Sequence, residues 1–224
     1  MRRFLKENGL SLFFFSIFLA TLIGQSFAGW RDFNQEQVAH DSAQISYGRY
    51  LVSSDFGGAM LENWQSEWLQ FVLFTMATIW LLQKGSNESK PLTNAGIESR
   101  QKQRMGTHAE PRSPGLAKHG DWRTHLYANS FLIVMSIIFF GTWLAQSFTN
   151  WSEYNDEQQE HDQSTIPWSL YIRTADFWEK SLQNWQSEFL AVGTMAIFTV
   201  YLRQRGSPES KPVGAPHDET GSEG

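Results

Sequence analysis

Two pairs of side chains in this sequence have the spacing of a shared metal site. Each pair is a glutamate and a histidine four residues apart: Glu36 with His40, and Glu157 with His161. In a helix this spacing places the carboxylate and the imidazole on one face, and both groups suit zinc or manganese. Two such pairs that met would form a metal site. Exposed side chains of a solvated helix explain the same pattern without a metal.

A second set of polar side chains lies near the ends of long apolar runs. Each half of the chain has a glutamine, an asparagine and a glutamate, which are Gln25, Asn63 and Glu67, then Gln146, Asn184 and Glu188. Because the paired spans run antiparallel, each glutamine should lie at a similar depth to the glutamate of its own half, and we expect the two to be in contact. Ionisable groups at membrane depth are costly and often mark pathways, so the contact predicts a polar site at the outer mouth of the bundle. Alternatively, the glutamates lie in the wetted headgroup layer and the glutamines only bond helix to helix.

Both sets occur twice because the sequence contains an internal repeat. Residues 8–92 align with residues 129–213 at a constant offset of 121 and without a gap. Of these 85 pairs, 33 are identical, whereas chance would give a handful. A duplicated two-helix unit predicts approximate two-fold symmetry about the membrane normal.

Apolar runs predict four transmembrane helices, near residues 8–30, 56–84, 126–151 and 177–205. About 20 helical residues cross the roughly 30 Å of hydrocarbon in a bilayer. The first run also has the pattern of a secretory signal peptide, but its recurrence in the second half favours a retained helix. Trp64, Trp68 and Trp185 are expected to form an aromatic belt at the membrane interface. The predicted fold is an all-α integral membrane four-helix bundle, made of two parallel-repeat helical hairpins.

The lysines and arginines indicate the orientation of these helices. The N-terminus, the central linker and the tail hold 14 of the 18, and the two loops between paired spans hold four. The positive-inside rule therefore predicts a multi-pass protein of the cytoplasmic membrane with both termini cytoplasmic. With Glu67 and Glu188 included, the outer loops hold 14 acidic residues, which argues against nucleic acid as a partner. The lipid bilayer is one predicted partner, and a protein of unknown identity is another.

The domain organisation follows from the repeat. Its predicted parts are the first two-helix membrane unit (1–92), a cytoplasmic linker (93–121), the second unit (122–213) and a tail (214–224). The composition of the linker and of the tail predicts disorder. Each returning helix is expected to have its N-cap at Asp55 or Asp176 and to end near Gly85 or Gly206.

Several motifs resemble a known family. The first half contains Asn-Gly-Leu-Ser-Leu, Gly-Gln-Ser, Asn-Trp-Gln-Ser-Glu-Trp-Leu-Gln and Lys-Gly-Ser-Asn-Glu-Ser-Lys. This combination resembles an uncharacterised bacterial family of multi-pass membrane proteins, known only as a domain of unknown function. The resemblance covers both repeats and implies a bacterial cytoplasmic-membrane protein, but it supplies no activity. The second repeat departs from the pattern at Ala145 and Asn150, where the first has Gly24 and Gly29.

The sequence contains no P-loop, dinucleotide fingerprint, HExxH motif or serine-nucleophile elbow, and it has no cysteine. We therefore predict a non-enzymatic membrane protein of structural, accessory or partner-binding type, without a cofactor. The alternative is a small transporter or channel component that uses the polar residues near the outer face. Against that alternative, the inner halves of the spans lack charged side chains. A metal-dependent membrane enzyme is a third hypothesis, which rests only on the Glu/His pairs.

Overall fold

A computed structural model describes residues 2–221, and over these residues the chain forms helices and turns without a β-strand. The helices are α1 (Arg2–Glu7), α2 (Gly9–Ala39), α3 (Tyr47–Tyr50), α4 (Ser54–Trp80), α5 (Gly115–Lys118), α6 (Trp122–Ala128), α7 (Ser130–Glu160), α8 (Trp168–Tyr171) and α9 (Ala175–Tyr201). A short 3₁₀ helix covers Gly106–His108. The predicted all-α class is confirmed for the described part of the chain.

Residue contacts divide the chain into two compact units. The first contact unit comprises Met1–Met60 and Gln146–Trp168, and the second comprises Leu61–Ala145 and Ser169–Gly224. Each contact unit therefore contains residues from both sequence repeats.

Two helices, α2 and α7, are long and apolar enough to cross a membrane. Each has 31 residues, which at about 1.5 Å per residue gives a length of about 46 Å. Both helices therefore continue well past Trp30 and Trp151, beyond the predicted ends of the spans. The returning helices α4 and α9 have 27 residues each, and they end at Trp80 and Tyr201 rather than near 84 and 205.

The starts of α4 and α9 correct the predicted N-caps. Oγ of Ser53 and Oγ1 of Thr174 each accept a hydrogen bond from the backbone N–H three residues further on, at 3.2 and 3.3 Å. Asp55 and Asp176 instead lie in the first helical turn. Serine and threonine are good N-caps, and an acidic residue inside the first turn is favoured by the helix dipole.

The ends of α2 and α7 explain the repeated His-Asp dipeptide. His40 and His161 follow the last helical residue, and Asp41 and Asp162 both adopt a φ of 55°. The N–H group after each aspartate donates to the carbonyl oxygen five residues before it, at 2.7 Å in both repeats. This is the Schellman ending, and aspartate tolerates the left-handed conformation better than most residues.

The glycines after α4 and α9 lie in turns and not at the helix ends. Gly85 and Gly206 have φ values of 86° and 83° and occupy the third position of turns closed by hydrogen bonds from Ser86 to Gln83 and from Ser207 to Gln204. A positive φ at this position requires glycine or a similar residue. Two serines stabilise these turns. Oγ of Ser89 accepts a hydrogen bond from the Gln83 N–H at 2.9 Å, and Oγ of Ser210 accepts one from the Gln204 N–H at 2.8 Å.

The tail makes backbone contacts that its composition did not predict, and its disorder stays a prediction. Lys211 is 1% exposed, and its Nζ donates to the carbonyl oxygens of Pro216, His217 and Glu219 at 3.1, 3.0 and 3.1 Å. Just before the linker, Nζ of Lys90 donates to the carbonyl of the linker residue Gly96 at 3.0 Å. The polar composition of the linker and the tail predicted disorder. In the structure, the ammonium groups of Lys90 and Lys211 bind backbone carbonyls of these two segments.

Candidate functional site

Three side chains on one face of α2 hold the loop that follows this helix. Ser26, Trp30 and Asn34 are spaced by four residues, and we call them the loop clamp. Nε1 of Trp30 donates to the Ile45 carbonyl at 2.8 Å. Nδ2 of Asn34 donates to the same carbonyl at 3.1 Å, and its Oδ1 accepts the Ile45 N–H at 2.7 Å. Oγ of Ser26 lies 2.7 Å from the Tyr47 hydroxyl.

The second repeat has the same loop clamp, formed by Ser147, Trp151 and Asn155. Nε1 of Trp151 donates to the Ile166 carbonyl at 2.7 Å, and the Asn155 amide makes both hydrogen bonds to Ile166, at 3.0 and 2.9 Å. Trp168 stands where the first repeat has a tyrosine, and its Nε1 donates to Oγ of Ser147 at 3.0 Å. The geometry is therefore kept although one residue differs.

Sequence reasoning missed the loop clamp. The structure shows the indole N–H groups of Trp30 and Trp151 each bound to a loop carbonyl. The available signal was that all three clamp positions are identical in the two repeats, while most residues between them differ.

The clamped loop and the ends of α2 and α7 enclose a cavity within the first contact unit. Its volume is about 1050 Å³, and its walls come from both repeats. Six carboxylates line it: Glu36, Asp55, Glu153, Asp156, Glu157 and Glu160. The other ionisable lining residues are Arg49, His40 and His161. With one guanidinium against six carboxylates, this acidic cavity has a strongly negative potential.

A buried tyrosine, Tyr50, hydrogen-bonds to one of these carboxylates, Asp55. The Tyr50 side chain is 3% exposed, and its hydroxyl hydrogen-bonds to Asp55. Burial, together with the charges of Asp55 and Asp32, raises the pKa of Tyr50 far above its ordinary value. The phenol therefore keeps its proton and stays a hydrogen-bond donor to an ionised Asp55.

The acidic cavity brings the two predicted Glu/His pairs together, since Glu36, His40, Glu157 and His161 all line it. Within residues 2–221, however, no group of three or more His, Cys, Asp or Glu side chains is placed to hold a metal ion. The structure therefore unites the pairs in one cavity without assembling a metal centre.

The two glutamines differ in their surroundings. Gln25 is exposed, whereas Gln146 is completely buried. Neither Oε1 nor Nε2 of Gln146 has a hydrogen-bond partner in the described part of the chain, so the predicted hydrogen bond to Glu188 is not seen. The contact of Gln25 with Glu67 stays a prediction.

The glutamates and asparagines of the second set lie in the second contact unit. Glu67 and Glu188, which occupy equivalent positions, are close enough for their charges to repel each other. The sequence did not predict this proximity. Asn63 is exposed, and Nδ2 of Asn184 donates to the Lys180 carbonyl within its own helix at 3.0 Å. The predicted polar stripe is therefore used in part for local helix bonding.

One predicted belt tryptophan makes a hydrogen bond inside the second contact unit. Nε1 of Trp185 donates to Oε1 of Gln65 at 2.7 Å. The Gln65 side chain is 0% exposed, and its Nε2 donates to the Glu62 carbonyl at 3.0 Å. The Trp185 ring also contacts Trp143, with ring centroids 5.5 Å apart, and Trp143 stacks on Phe177 at 5.9 Å. The Trp185 indole N–H therefore satisfies a buried amide, and the position of this ring in an aromatic belt stays a prediction.

Comparison with known proteins gives a single family. No curated protein and no solved structure matches the chain. Residues 1–222 match the family described as Domain of unknown function (DUF6766). This match confirms the resemblance to an uncharacterised family, and since it covers nearly the whole sequence, the chain belongs to the DUF6766 family.

Proposed function

We propose that this protein is a non-enzymatic integral membrane protein of accessory type, which binds a basic segment of a partner protein in its acidic cavity. Membrane insertion is supported by α2 and α7, which are long and apolar enough to span a bilayer. Phe13, Phe14 and Phe15 are 59%, 60% and 66% exposed on α2. Such exposure of large apolar side chains is costly in water and favourable in lipid.

The proposed topology has four spans, in which α4 and α9 return across the membrane and both termini are cytoplasmic. This arrangement rests on the bias of lysine and arginine toward the termini and the linker. It places the acidic cavity on the outer face, within the loops that the loop clamp holds.

Reporter fusions test this topology. Reporters placed after Gly106 and at Gly224 should both give a cytoplasmic signal, because an even number of spans separates them from each other and from the N-terminus. A reporter in the loop after Asp41 should give the opposite signal. A periplasmic signal from either of the first two positions would refute the four-span arrangement.

The acidic cavity is the observation that carries the proposed partner. Its volume of about 1050 Å³ is enough for several side chains, and six carboxylates face one arginine. A basic peptide segment supplies the complementary charge, and its long side chains reach into a concave site. Residues of both repeats line the cavity, so a bound segment would contact both copies.

Neutralising equivalent carboxylates tests the site. We expect Glu36→Gln with Glu157→Gln to weaken binding of an oligolysine peptide about two- to thirtyfold at low salt, because each of the two exposed ion pairs contributes about 0.2–1 kcal/mol. Binding is measured by fluorescence anisotropy on the full chain in nanodiscs of zwitterionic lipid, so that the bilayer itself does not attract the peptide. Added salt should reduce the difference between the parent and the variant.

A matched control separates the acidic cavity from general charge. Glu7→Gln with Glu110→Gln removes the same charge from exposed positions outside the cavity and should leave the affinity unchanged. Equal weakening by both double variants, or none by the cavity variant, would contradict a docking site in the acidic cavity. Capture from native membranes, compared between parent and cavity variant, then identifies the partner.

A permeation role receives less support. The buried amide of Gln146 lacks a partner among the described residues, as a polar pathway residue can. However, residues 9–30 of α2 and 130–152 of α7 contain no charged side chain. An ion or proton route needs polar or ionisable groups across the membrane, so we do not extend the proposal to transport.

A further inference from the structure

The two segments that follow α4 and α9 meet each other within the second contact unit. Nδ2 of Asn87 lies 3.5 Å from the carbonyl oxygen of Pro208, which is the equivalent position in the second repeat. Beside this contact, Oγ of Ser86 lies 3.0 Å from Oγ1 of Thr199, and both side chains are buried. Equivalent residues that touch must lie near the axis that relates the repeats.

The next pair of equivalent residues is Glu88 and Glu209, and their carboxyl groups are within hydrogen-bonding reach of each other. Oε1 of Glu88 is buried, and no donor in the described residues reaches it. Two carboxylates at this distance repel, and only a proton between them gives a hydrogen bond. Burial and the charge of Glu209 accordingly raise the pKa of Glu88.

Most charged groups of the neighbouring segments have other partners. Lys84 pairs with Asp218 at 3.7 Å, and Lys90 pairs with Glu98 at 3.8 Å. Backbone carbonyls bind three further cations, with Lys211 on the tail, Arg203 on Val200 and Ala215, and His217 on Val200. Arg205 is exposed to solvent. No ion pair in the described part of the chain neutralises Glu88 or Glu209. Protonation is therefore the available way to remove their repulsion.

We propose that Glu88 and Glu209 form a proton-operated latch between the two repeats. With one proton shared, the carboxyl groups bond and the two segments stay in contact. With none, the carboxylates repel and the segments separate. Under the proposed topology the latch faces the cytoplasm, but the latch itself does not depend on the acidic cavity or on its partner.

The direction of the pH dependence follows from proton binding. In the unfolded chain Glu88 titrates near its ordinary value of 4.5. Between that value and the raised pKa of the closed latch, the closed form binds more protons than the open form. The contact is therefore favoured at low pH and is lost as pH rises through the pKa of the closed form.

Distance measurements between the two segments test the latch. The chain has no cysteine, so Gln83→Cys and Gln204→Cys provide two exposed, equivalent sites for spin labels. Pulsed electron paramagnetic resonance of the full chain in nanodiscs is recorded from about pH 4.5 to about pH 8, a range that spans the ordinary and raised titration of a glutamic acid. We expect one narrow distance at low pH and a longer, broader distribution at high pH.

The Glu88→Gln variant tests whether Glu88 and Glu209 cause the change of distance with pH. An amide donates to the Glu209 carboxylate at every pH, so the narrow distance should persist across the range. Glu209→Gln should act in the same way and replaces the first variant if that one fails to fold. Glu110→Gln, an exposed control, should keep the response of the parent. A parent distance that does not change with pH, or a pH response that survives both latch variants, would overturn the proposal.

Discussion

Replacing Asn155 by alanine should release the loop between α7 and α9. Both polar atoms of the Asn155 amide bond the backbone of Ile166, at 3.0 and 2.9 Å. Alanine removes both hydrogen bonds and leaves the Ile166 N–H without that acceptor, while its carbonyl keeps the indole of Trp151. A hydrogen bond contributes about 0.5–1.5 kcal/mol net, so we expect loss of these two part-buried bonds to lower the free energy of unfolding by about 1–3 kcal/mol. Hydrogen exchange of the loop should accelerate in parallel.

The matched control is Asn129→Ala, the same substitution at an exposed asparagine. Nδ2 of Asn129 bonds only a carbonyl in the preceding helix, so its loss should cost well under 1 kcal/mol by comparison with surface substitutions. Asn155→Asp is a second probe, because the carboxylate still accepts the Ile166 N–H but cannot donate to the carbonyl. The free energy of unfolding of Asn155→Asp should lie between those of the parent and of Asn155→Ala. If Asn155→Ala and Asn129→Ala unfold alike, the loop is held by other contacts.

The loop clamp also shows how far the sequence determines this fold. The apolar runs and the repeat predicted the long helices, although α2 extends beyond the predicted end near residue 30. The loop clamp itself was not predicted, because its partner atoms belong to the backbone of Ile45 and Ile166. Backbone groups have no sequence signature, so a side chain that serves them is visible only as an unexplained identity between repeats.

The helix boundaries failed for a related reason. Asp55 and Gly85 are common cap residues, and each was assigned that role from its type. Ser53 instead caps α4, and Gly85 serves a turn that begins after the helix has ended. Several residues near each boundary had the right chemistry, and the choice among them depends on the path of the chain, which local sequence does not fix.

Proximity between equivalent residues was the least predictable feature of the candidate sites. The sequence paired Gln146 with Glu188 from their expected depth along antiparallel helices. In the second contact unit, Glu188 instead interacts with its own counterpart, Glu67. Depth along a helix follows from counting residues, but the face that a helix presents depends on packing, and a membrane helix with apolar residues on all sides specifies that face weakly.

Replacing Lys211 by methionine should free the tail. The Lys211 ammonium holds three carbonyl oxygens of residues 216–219, and hydrogen bonds to charged groups contribute about 1.5–3 kcal/mol. Methionine keeps the apolar stem and removes every donor. Since about 1.4 kcal/mol corresponds to a factor of ten, we expect the tail to open about 10- to 150-fold more often. A protease that cleaves after glutamate reports this opening at Glu219, and mass spectrometry follows release of the peptide that begins at Thr220.

Two other lysines serve as controls for Lys211, because each of them binds fewer backbone carbonyls. Lys118 is exposed and binds one carbonyl in the linker, so Lys118→Met should change the cleavage rate at Glu219 by less than about twofold. Lys90 is the equivalent of Lys211 and binds one carbonyl, so Lys90→Met should loosen the linker less than Lys211→Met loosens the tail. Thr220 also holds the tail, since its Oγ1 accepts the Gly85 N–H at 2.8 Å. If Lys211→Met leaves the cleavage rate at Glu219 unchanged, the buried ammonium does not hold the tail, and the contacts of Thr220, Ala215 and His217 are sufficient to do so.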